Sequence, residues 1–86
     1  MRVLIAEDEK KIAAFVRKGL AGEGFNVSVC HRGDDALHLA STEKFDAVVL
    51  DIMMPGRDGM SVLARLRELR NTVPVILLTA RHGDVE

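Results

Sequence analysis

Apolar residues in this chain fall into short unbroken runs separated by stretches of helical period. Val3-Leu4-Ile5-Ala6, Ala47-Val48-Val49-Leu50 and Val75-Ile76-Leu77-Leu78 are apolar throughout. That is the pattern of strands covered on both faces of a parallel sheet, here residues 2–6, 46–50 and 75–78. Phe25, Val27 and Val29 instead alternate with Asn26 and Ser28, which predicts a half-buried strand at a sheet edge. Between the strands the period lengthens. From about Glu9, the residues Ile12, Phe15, Val16 and Leu20 share one helix face, with Gly19 a weak point inside the helix and Gly24 its end. Gly33 or Asp34 opens a second helix through Ala36, Leu37 and Ala40. A third follows the loop Met53-Met54-Pro55-Gly56-Arg57-Asp58-Gly59, turns Leu63, Leu66 and the stem of Leu69 or Arg70 inward, and stops before residues 71–74.

The order β-α-β-α-β-α-β specifies an α/β fold, a doubly wound parallel sheet joined by right-handed crossovers. With the alternating strand at the edge, the strand order is 2-1-3-4, and the first and third strands are neighbours where the winding reverses. Ligands bind there, outside the carboxyl ends of the strands. At that rim the sequence supplies acids: Glu7 and Asp8 after the first strand, Asp51 after the third. Three like charges so placed repel unless a cation lies between them, and hard oxygen ligands suit Mg2+. Asp8, Asp51 and the backbone carbonyl of Met53 fit its ligand set, with Glu7 acting directly or through water. A desolvated carboxylate beside a metal attacks phosphorus, and Asp51, alone at its strand end, is the candidate acceptor. Thr79 brings a hydroxyl to the end of the fourth strand, while Ala80 and Gly56 leave room for an incoming group. Taken singly, each acid reads as a solvated strand end or a helix cap; their convergence is what points to chemistry.

Composition narrows the picture further. At 86 residues the chain reads as one small domain, residues 1–86, and its net charge of −1 gives no general attraction to nucleic acid or to an anionic surface. Arg65, Arg67 and Arg70 read as a solvated helix face. Cys30 is the one cysteine, which excludes an internal disulfide and agrees with a reducing cytoplasm; it reads as a small apolar residue at a strand end. His31, His38 and His82 lack metal-ligand spacing and read as surface or loop residues, and Met53-Met54 as core filler. Phosphate-loop, Ser/His/Asp and paired-Cys patterns are missing. With no signal peptide and no apolar run near the ~20 residues that cross a bilayer, a cytoplasmic protein without membrane contact is expected.

Three segments carry a family resemblance: Val3-Leu4-Ile5-Ala6-Glu7-Asp8-Glu9, Val48-Val49-Leu50-Asp51-Ile52-Met53-Met54-Pro55-Gly56-Arg57-Asp58-Gly59 and Pro74-Val75-Ile76-Leu77-Leu78-Thr79-Ala80. Together they resemble the receiver domain of bacterial two-component response regulators, the CheY-like family with its flavodoxin-like fold. The resemblance implies that Asp51 accepts a phosphoryl group from a sensor histidine kinase and that Glu7, Asp8, Asp51 and the Met53 carbonyl hold Mg2+. It makes Thr79 the switch hydroxyl and puts Thr79 and Ala80 beside the phosphate. The motifs are most similar to regulators whose receiver precedes a winged-helix DNA-binding domain, so DNA contact would come only through an output domain outside this chain. The family also has a fifth strand bearing a lysine and a switch aromatic, and two further helices, none of which is found here. A partial receiver is therefore expected, one that binds metal, takes up phosphate poorly and exposes its fourth strand to self-association or domain swapping. Two rivals are weaker: a phosphatase-like hydrolase would carry a second acid two residues after its nucleophile, where Met53 stands, and a phosphorylation-independent docking module has no use for the full acid set.

Overall fold

The computed structural model describes residues 1–79, so Ala80 and His82 lie outside the described residues. Four parallel strands, β1 (Arg2–Ala6), β2 (Asn26–Cys30), β3 (Ala47–Asp51) and β4 (Val75–Leu78), alternate with helices α1 (Lys10–Gly22), α2 (Gly33–Thr42) and α3 (Gly59–Glu68). The sheet order is β2-β1-β3-β4, as the hydrophobic pattern requires. β3 ends one residue later than the apolar run, so Asp51 is its last residue and pairs in register with Leu78 of β4. Asp46 falls before the strand, where its carboxylate accepts the Arg2 N–H at 2.8 Å.

Alternate side chains divide the core into two layers. Leu4, Ala6, Val48 and Leu50 pack toward α2 and α3 with Ala36, Ala40, Val62 and Leu66, all nearly or wholly sealed from solvent. Each Val or Leu side chain among them contributes roughly 1.5–3 kcal/mol by burial. Val3, Ile5 and Val49 face the other way, toward Val16 and Leu20 of α1. α1 stops in a turn built on Gly24 at φ 92°, whose N–H donates to the Ala21 carbonyl while that of Phe25 donates to Leu20. Glycine meets that left-handed backbone without a Cβ clash.

Two expectations are corrected. Phe15 belongs to the apolar helix stripe yet is 79% exposed, because α1 packs on the sheet through Val16 and Leu20 and leaves Phe15 outside that layer. Ile76 of β4 is 57% exposed, beside the buried Val49 of β3. Leu69 and Arg70 do not turn inward either: α3 ends at Glu68, and Arg70 adopts φ 61° in a left-handed turn. Inside that helix Val62 and Leu66 are buried and Leu63 packs against them.

Candidate functional site

The adjacency of β1 and β3 brings their carboxyl ends together, and with them the acids. Glu7 follows the last residue of β1, Asp51 ends β3, and Asp8 begins the turn into α1. Each of the three offers a carboxylate oxygen within 4.8 Å of the other two. Glu7 and Asp51 are buried, whereas Asp8 is exposed. At about 5 Å two like charges repel by roughly 3 kcal/mol at an effective dielectric near 20. Among the described residues no ion pair offsets this, since the three that form join Arg2 to Glu43, Arg32 to Asp34 and Arg65 to Glu68.

The electrostatic consequence is a pair of carboxyls that bind protons more tightly than free carboxylates do. Glu7 is pushed up to about 7, first by burial and then by Asp51 and Asp8, against the opposing pull of the Glu9 N–H that donates to Glu7 Oε2 at 2.9 Å. Asp51 is raised as well, by burial and by Asp8, although the Met53 N–H donates to its Oδ1 at 3.3 Å. A small divalent cation relieves both strains at once, and an all-oxygen acid cluster suits Mg2+.

The loop after β3 is fixed at both ends. Gly59 donates its N–H to the Ile52 carbonyl at 2.8 Å, and the Asp58 carboxylate caps α3 by accepting the Ser61 N–H at 2.8 Å. Within the loop, Met54 is buried, but Met53 is 56% exposed, so only one of the two methionines fills the core. Thr79 is exposed, one residue beyond the partner of Asp51 in β4. Cys30 is buried as expected, its thiol pushed up to about 11 by burial and by the charge of Asp35, which makes it a poor nucleophile. His31 lies in the loop between β2 and α2, as expected, but is half-buried, with Nδ1 2.8 Å from the Glu7 carbonyl. Nothing in its sequence spacing marks that contact, which exists only because β2 lies beside β1.

Residues 3–86 match the response regulator receiver domain family. The chain belongs to that family. This receiver is 49% identical over 86 residues to the transcriptional activator protein IrlR of Burkholderia pseudomallei, covering 98% of the chain and 37% of IrlR. It thus spans little more than a third of that relative. The receiver domain of the Francisella response regulator 1452 superposes with a TM-score of 0.89 at 42% identity, over 92% of this chain and 65% of that one. The response regulator TrrA of Thermotoga maritima, in complex with Mg(2+)-BeF, superposes with a TM-score of 0.87 at 32% identity, over 98% and 76% of the two chains. As a receiver, the chain is a signalling domain. Among the described residues no helix is long and apolar enough to cross a membrane.

Proposed function

We propose that this receiver takes a phosphoryl group from a sensor histidine kinase onto Asp51 and passes its state to an output that regulates transcription through DNA. The observation that carries the reading is the convergence of Glu7, Asp8 and Asp51, two of them buried, at the reversal of winding. In this reading Asp8, Asp51 and the Met53 carbonyl hold Mg2+, with Glu7 directly or through water. Once bound, the ion supplies charge to phosphoryl oxygens. An oxygen of Asp51 attacks phosphorus while the bond from phosphorus to the kinase imidazole nitrogen breaks, and the imidazole leaves with the electron pair. The receiver's own chemistry is limited to this self-directed transfer and the later hydrolysis of the aspartyl phosphate. Thr79 hydrogen-bonds the phosphoryl oxygens, supported by its position one residue past the partner of Asp51, and Ala80 leaves space beside it. The beryllium fluoride held by TrrA, a chemical stand-in for a phosphoryl group, and the name of IrlR support the two ends of the proposal.

A kinase partner and the single thiol support a cytoplasmic setting. We also propose self-association through β4, including strand exchange, because β4 pairs with β3 alone among the described residues and carries the exposed Ile76. The central reading is tested with acetyl phosphate and Mg2+ under intact-mass spectrometry. The wild type gains the mass of one phosphoryl group and Asp51→Asn gains none; a gain that survives in Asp51→Asn removes the acceptor assignment.

A further inference from the structure

We infer that His31 is a positioning residue for the acid pair, orienting the peptide that links Glu7 to Asp8. The inference rests on the reading of the acid cluster as a Mg2+ site. β1 and β2 pair in parallel as far as Ala6 opposite Cys30, and the ladder runs one rung further where the Glu7 N–H donates to the Cys30 carbonyl at 3.1 Å. The next acceptor along β1 is the Glu7 carbonyl, and there the partner is a side chain, His31 Nδ1 at 2.8 Å. A carbonyl oxygen only accepts, so Nδ1 carries the proton and donates. An imidazole therefore closes the ladder at the point where β2 turns away. The residue bearing the first acid is held through both its N–H and its C=O, and its carbonyl belongs to the peptide plane from which the Asp8 side chain departs.

The same short segment also holds the loop that follows the third acid, Asp51. Gly33 donates its N–H to the Pro55 carbonyl at 3.0 Å, and a Cβ on Gly33 would collide with the Arg57 carbonyl oxygen. Residues 30–33 thus join the turn that carries Glu7 and Asp8 to the loop that follows Asp51, while contributing no member of the acid cluster. Their effect is on the separation and aim of groups that must share one cation. Supports of this kind act through affinity, because a ligand free to swing loses orientation each time it binds.

The test titrates MgCl2 calorimetrically into the wild type, His31→Ala and His31→Asn, at a temperature well below the metal-free unfolding midpoint of each. Asparagine presents its amide NH2 as many bonds from the backbone as Nδ1, so it restores the donor without restoring the ring. His31→Ala is expected to weaken Mg2+ binding about tenfold and His31→Asn about twofold or less. In the metal-free protein, the Asp8 amide resonance moves in His31→Ala and stays near its wild-type position in His31→Asn. An unchanged affinity in His31→Ala overturns the inference, and so does an equal loss in both variants, which would mark the ring as packing alone. No uptake of Mg2+ by the wild type overturns the metal site itself, a failure distinct from that of His31 alone.

Discussion

Glu7 is the residue whose environment departs furthest from what its type suggests. A glutamate with an ordinary value of 4.5 that is pushed up to about 7 in the folded protein keeps its proton across a window in which the unfolded chain has lost it. The folded state then binds more protons than the unfolded state, so the contribution of Glu7 to stability falls as pH rises from about 4.5 to about 7. A shift of that size, on a carboxyl only 2% exposed, corresponds to something on the order of 3 kcal/mol. Urea titrations of the metal-free protein at stepped pH are expected to show this decline, and a profile that rises through the window would contradict it. Saturating Mg2+ replaces the proton, so its stabilising effect grows with pH over the same interval.

Among the elements, α3 shows how a helix end is settled by backbone geometry rather than by residue preference. Its C-terminal turn matches that of α1, with the N–H of Arg70 donating to Arg67 and that of Asn71 to Leu66, but Arg70 stands at φ 61° where α1 uses Gly24. A non-glycine residue in that left-handed region costs about 1–2 kcal/mol. Arg70 is exposed and forms none of the three ion pairs. Arg70→Gly should therefore stabilise the protein by about 0.5–1 kcal/mol after the entropy cost of glycine, visible as a rise of roughly 4 °C in the thermal midpoint. A lower midpoint would assign the Arg70 side chain a stabilising contact.

For the whole molecule, the exposed apolar surface of the sheet on the α1 side lies at β4, since Val49 of β3 is buried there. Ile76 is 57% exposed there, and Phe15 of α1 is 79% exposed. If β4 pairs with a second copy, sedimentation velocity should show a coefficient that grows with concentration in the wild type and stays at the monomer value in Ile76→Lys, with Mg2+ affinity unaltered. Equal behaviour of the two would remove edge pairing. The strand order, the parallel sense and the meeting of Glu7, Asp8 and Asp51 were legible in the sequence, since unbroken apolar runs alternating with helical period leave few ways to wind a sheet. Periodicity also marked Phe15 and Leu69 as inward, and there it failed, because a stripe on one helix records which residues share a side and not whether anything lies opposite. The contacts of His31 with Glu7 and of Gly33 with the loop after β3 carried no signal in one dimension. Their roles exist only once β2 lies against β1 and the loop after β3 folds over the start of α2, since hydrogen bonds and close approaches between distant segments are made by tertiary packing and not by local preference.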